Sequence, residues 1–214
     1  MASEILTKEE LEDVARRALL FQRYLFRRTY GTYYAVWAAA LSVFFVIPFL
    51  LGSMGEFFVL VLQVVTGIVA TAVTVQSFTR VIRANRLWQA FLPRRRVPYF
   101  FHIIAWWAGF ILVIYFAFRF STYVGYASLY LMLISVAYFL ALNLKRSFQE
   151  KVPFEGKLAV GSYGLSATAS FILSVAFGSS NFVAVPWLLT IACWIFASTS
   201  AFRHAHEELL KEGI

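Results

Sequence analysis

Residues 80–98 read RVIRANRLWQAFLPRRRVP, a stretch with six arginines and no acid, set between two long apolar runs. A run of about 20 apolar residues is what an α-helix needs to cross a hydrocarbon core about 30 Å thick. A block with this much charge cannot stay in that core. The chain must therefore surface here and re-enter, and the same reading repeated outward sets the expected fold.

Apolar runs lie at 30–51 and 57–79 before the block and at 99–118, 125–144, 158–178 and 182–202 after it. Of 214 residues, 61% are hydrophobic and 14% charged, against about 25% charged in soluble domains. The expectation is an all-α, polytopic integral membrane protein with six transmembrane helices arranged as three antiparallel hairpins. Residues 1–28 form an expected amphipathic helix in the cytosol or at the interface, 29–203 the membrane domain and 204–214 a cytosolic tail. The first 28 residues lack the continuous apolar core of a cleavable signal peptide.

The amphipathic helix is read from Thr7 and Glu10, spaced as a capping box. Leu11, Val14, Ala18, Phe21 and Leu25 make one apolar stripe, widened by Leu20 and Tyr24. Acids fill its first turns and arginines its later ones, which suits the helix dipole. Such a helix is expected along the membrane surface or against a partner.

Eighteen of the nineteen Lys and Arg fall before span one or after spans two, four and six; Arg119 alone lies opposite. The positive-inside rule then puts both termini in the cytoplasm of a multi-pass cell-membrane protein. The net charge of +8 is accounted for by an anionic cytoplasmic leaflet as the partner of these segments, and no nucleic acid is expected. Tyr30, Tyr33 and Tyr34 read as an interfacial aromatic belt at the inner edge of span one.

Span five places Ser162, Ser166, Ser170, Ser174 and Gly178 at four-residue intervals. A ridge of small residues lets a neighbouring helix approach closely where lipid supplies no hydrophobic drive. Span six has a shorter counterpart in Cys193, Ala197 and Ala201. Span two carries Gln63, Thr66, Gly67, Ala70, Thr71, Thr74 and Ser77 on one face. These three faces are expected to meet. The alternative is that Gln63, Thr66, Thr71 and Thr74 line a path for a neutral solute.

The single cysteine, Cys193, excludes an intrachain disulfide and a multi-cysteine metal site. No acid or base lies at mid-depth in a span, which disfavours carriers coupled through carboxylates. His102 and Ser162 share a depth near the inner face, and His204 and Glu208 lie one turn apart at a spacing that can share a metal. Interfacial hydrogen bonding, close packing and a solvated last turn account for them, so no catalytic residue, metal or cofactor is expected. No phosphate loop, dinucleotide fingerprint or HExxH motif occurs.

In the opening block, Arg80, Arg83 and Arg86 recur every three residues on a continuation of span two. Leu87, Trp88 and Phe91 fall on a more apolar side before Pro93 ends the helix. Arg80, Arg83, Arg86, Trp88, Phe91, Arg94, Arg95 and Arg96 are candidates for docking lipid or a cytosolic protein. An amphipathic helix leading into six spans, with a helical connection after span two, is similar in plan to the permease subunits of ATP-driven exporters. That plan implies a non-enzymatic membrane subunit, permease-like in a transport complex, that meets a cytosolic protein or further copies of itself. The alternatives are a self-contained channel or carrier for a neutral or apolar solute, and a membrane-embedded enzyme.

Overall fold

The computed structural model of the chain describes residues 8–50, 56–89, 109, 112–148, 151–177 and 184–211. Among them every regular element is helical, as lipid demands of a spanning backbone that has no water to bond. Helix α1 is Lys8–Leu41, followed by a π-helical stretch, Ser42–Val46, and by α2, Ile47–Leu50. Helix α3 is Glu56–Gln89, α4 covers 112–120, α5 is Thr122–Phe148, α6 is Phe154–Phe177 and α7 is Ala184–Lys211.

Five runs among the described residues are long and apolar enough to cross a membrane: Arg16–Val46, Phe57–Arg83, Thr122–Phe148, Phe154–Phe177 and Ala184–Glu208. The span expected at 99–118 lies mostly outside the described residues, and its last part is helical within α4.

The N-terminal segment and the first span form one helix. No break separates 8–28 from 30–41, because this stretch has no proline and every side chain but Gly31 tolerates helix well. The first irregularity comes just ahead of Pro48. A proline has no N–H to give to the carbonyl four residues back, here that of Phe44. The side chain of Gln63 donates to the Phe44 carbonyl from α3 at 3.1 Å, so the carbonyl is bonded from a neighbouring helix.

Pairwise contacts give the order and direction of packing. Tyr30 meets Phe78 edge-on at 5.2 Å, Trp37 Nε1 donates to Thr74 Oγ1 at 2.9 Å, and Gln63 reaches Phe44. Rising numbers on α1 face falling numbers on α3, so the two are antiparallel. By the same reading α6 and α7 are antiparallel, through Ala159 with Trp194, Ser162 with Thr190 and Ser166 with Pro186. So are α5 and α6, where Tyr130 stacks on Phe171 at 4.7 Å and Leu144 closes over Gly156. The most extensive interface joins the first helix to the last: Ser198 Oγ donates to the Gly31 carbonyl at 2.8 Å, and Phe45 stacks on Trp187 at 4.2 Å.

Of the three expected hairpins, α1 packs against α3 and α6 against α7, and the pairing of 99–118 with 125–144 lies mostly outside the described residues; in addition α7 pairs with α1 and α5 with α6. The core lies among α1, α6 and α7. Tyr30, Tyr34, Tyr163, Trp187 and Trp194 interlock there with Ala38, Ala159, Ala167 and Ala197, large side chains filling the spaces left by small ones. Tyr30 and Tyr34 are therefore core residues and do not form a lipid-facing belt. Helix α3 lies at the periphery: Ala70 and Val81 are its buried side chains among those described, while Phe57, Ile68 and Val69 face outward, as expected of a surface in contact with acyl chains.

Candidate functional site

Four segments that carry basic residues converge at one end of the bundle. Arg27 and Tyr30 of α1 lie beside Phe78 of α3, beside Ser147 and Phe148 of α5, beside Glu155 of α6 and beside Glu208 of α7. Tyr30 and Ser147 share a hydrogen bond of 3.1 Å.

An ion network is centred on Arg27. Its Nη1 lies 3.1 Å from Glu208 Oε1 and its Nε 3.7 Å from Glu155 Oε1. His204 Nδ1 lies 3.9 Å from the other oxygen of Glu155 and 3.3 Å from Ser200 Oγ. The Glu155 side chain is only 3% exposed. Glu155 sits in the first turn of α6, where the free backbone N–H groups favour an anion, and the Pro153 carbonyl accepts the Gly156 and Lys157 N–H groups as the helix starts. A carboxylate this deep is costly unless a cation meets it. Arg27 is that cation: it meets Glu208 at hydrogen-bond distance and Glu155 as a longer ion pair that leaves the buried Glu155 Oε1 without a hydrogen-bond partner among the described residues. The network joins α1, α6 and α7 in one register.

Beside it a pocket of about 450 Å³ is lined by Arg23, Arg27, Phe148, Lys151 and Glu208. Glu208 Oε2 is buried and has no hydrogen-bond partner among the described residues.

The residues singled out from sequence fall as follows. Arg80 and Arg83 are exposed on α3, and the helix continues through Arg86 and Trp88; Phe91, Arg94, Arg95 and Arg96 lie outside the described residues. Gln63 and Thr74 bond to α1, Thr66 is half-buried and Thr71 is exposed. The polar face of span two therefore meets α1, where the expectation had it meeting spans five and six.

Ser162, Ser166, Ser170 and Ser174 are all buried, and Gly178 lies outside the described residues. Ser166 donates to the Pro186 carbonyl, and Thr190 Oγ1 lies 2.7 Å from Ser166 Oγ and 3.0 Å from the Ser162 carbonyl. Ala197 and Ala201 of α7 are buried and Cys193 is half-buried. His102 lies outside the described residues, and Ser162 Oγ donates to the Ala159 carbonyl. His204 and Glu208 face different partners, with the Arg27 guanidinium between the carboxylates of Glu155 and Glu208. No group of three or more metal-type side chains occurs among the described residues.

Glu155 falls between the apolar runs 125–144 and 158–178, and its one sequence signal is rarity: Glu150 and Glu155 are the only acids between Glu56 and Glu207. No protein-family model, curated protein or solved structure matches the chain.

Proposed function

We propose that the chain is a non-enzymatic membrane subunit that docks a cytosolic protein through the distal half of α1, permease-like in plan and placed in a transport complex. The observation that supports this reading is the continuity of α1. Its 34 residues extend about 51 Å at 1.5 Å per residue. With the π-stretch and α2 completing the span from Tyr30 onward, residues 8–29 of α1 are left over, about two thirds of the helix. A helix with no proline, glycine pair or π-bulge ahead of Ser42 has nothing to kink it. It therefore leaves the bilayer along the direction of its span and does not turn to lie flat on the headgroups.

This projecting part holds itself with Asp13–Arg17 at 2.8 Å and Asp13–Arg16 at 3.5 Å. It leaves Val14 47% and Phe21 43% exposed on its apolar stripe. An apolar stripe on a charged helix held clear of lipid suits a helix-in-groove contact with a protein. The solute-pathway reading is weakened because Gln63 and Thr74, its best lining residues, are bonded to α1.

A photo-activated phenylalanine analogue at position 21, irradiated in native membranes, checks the proposal. A protein adduct of defined mass that disappears with Val14→Asp is expected. Adducts to lipid alone would overturn the reading.

A further inference from the structure

Two buried oxygens where α1 meets α6 have no hydrogen-bond partner among the described residues, Tyr34 Oη and Glu155 Oε1. Tyr34 is 0% exposed and Glu155 2%, so bulk solvent serves neither. A buried polar atom left unbonded is costly, and native interiors satisfy nearly all such atoms with protein groups or held water.

The two oxygens belong to one place. Arg27 and Tyr34 stand two turns apart on one face of α1, about 10 Å along its axis, and a helical side chain leans toward the N-terminal end of its helix. Tyr34 therefore leans back past Tyr30 toward the level of Arg27, where Glu155 lies. On α6, Ala159 is one turn beyond Glu155, and its carbonyl accepts the N–H of Trp194, whose ring packs against Tyr34 at 5.8 Å. Tyr34 is also within electrostatic reach of the Glu155 carboxylate. The third group is Arg27 Nε, 3.7 Å from Glu155 Oε1. That separation is too long for a direct hydrogen bond, and a polar contact of such length suits a shared water.

We infer that this site binds one water molecule, held between α1 and α6. The Tyr34 hydroxyl and the Arg27 Nε–H donate to its oxygen, and it donates to Glu155 Oε1. About three hydrogen bonds is the ordinary number for an internal water. Water fits where an ion does not, because a cation would sit against the Arg27 guanidinium and an anion against the Glu155 carboxylate. Its effect is to complete the Arg27–Glu155 pair and to carry the polar link from the charged end one step into the aromatic core. Nothing here rests on the projecting part of α1, so this inference and the docking proposal fail independently.

The test uses full-length protein in detergent and reads the water and the hydroxyl separately. A short X-ray pulse turns a held water into a hydroxyl radical beside its ligands, so in water enriched in heavy oxygen Tyr34 should gain labelled oxygen. Trp194, 2% exposed with its N–H bonded, should stay unlabelled and reports radicals leaking in from solvent. In thermal unfolding, Tyr34→Phe should lower Tm by roughly 2–4 °C, the loss of about one hydrogen bond in a chain of this size. In a Glu155→Gln background the drop should be about half as large, since a bond to a neutral acceptor is about half as strong as one to a carboxylate. An unlabelled Tyr34, or Tyr34 and Trp194 labelled alike, would overturn the inference. So would an equal drop in both backgrounds, or a Tm that holds or rises with Tyr34→Phe, because removing a buried hydroxyl that bonds nothing relieves a cost.

Discussion

At the scale of single residues, Arg27 has the largest consequences. It sits where three helices meet, and its guanidinium is the cation placed between Glu155 and Glu208. Arg27→Ala would leave two carboxylates facing each other in a poorly solvated place. Removing one partner of a buried pair costs about 3–5 kcal/mol, and the partial exposure of Arg27 puts the expected loss toward the lower end. Arg27→Lys should lose less, because a point charge keeps the attraction but cannot reach two carboxylates with a planar fork. Thermal unfolding of the three proteins in detergent gives the order wild type, Arg27→Lys, Arg27→Ala. A wild-type Tm that falls steeply with added salt would contradict a shielded network.

At the scale of elements, the interface of α1 with α7 is the one to test. A Cβ built on Gly31 would lie 3.4 Å from the Ala201 Cβ and 3.3 Å from the ring of Phe202. Bridged cysteines have Cβ atoms about 3.5–4.5 Å apart, so a shift of the two helices by a few tenths of an ångström brings this pair into range. Gly31→Cys with Ala201→Cys, in a Cys193→Ala background, should therefore form an intramolecular bridge on mild oxidation, read as a shift in gel mobility that a reductant reverses. Absence of the bridge would contradict the pairing of the first and last helices. Sequence made the spans legible, because crossing lipid demands a length and an apolarity that any 20-residue run displays; 57–79 lies inside α3 and 125–144 inside α5. On α6, Ser162, Ser166, Ser170 and Ser174 of the expected ridge are buried. Sequence did not show which helix each face meets, because packing between helices in lipid depends on shape and a few hydrogen bonds. Tyr34 reads equally well as an interfacial ring and as a core ring, and Glu155 looks like any charge in a basic connection until Arg27 and Glu208 are placed beside it.

At the scale of the whole molecule, the gathering of basic segments at one end of the bundle supports a single sidedness for all of them. With that end cytoplasmic, Tyr123→Cys at the start of α5 should react with a membrane-impermeant maleimide on intact cells. Lys151→Cys should react only after permeabilisation, both in a Cys193→Ala background. The reverse pattern would invert the topology, and reaction of both from one side would mean that α5 does not cross. The pairing of α1 with α7 also bears on biogenesis. Ribosomes add about 5–20 residues per second, so roughly ten seconds or more separates synthesis of Gly31 from that of Ser198. Through that interval the Gly31 carbonyl lacks its Ser198 donor and Arg27 lacks Glu208. Helix α1 thus waits for α7 to be completed, and a chain that stalls before α7 displays an unfinished surface by which cellular quality control can recognise it.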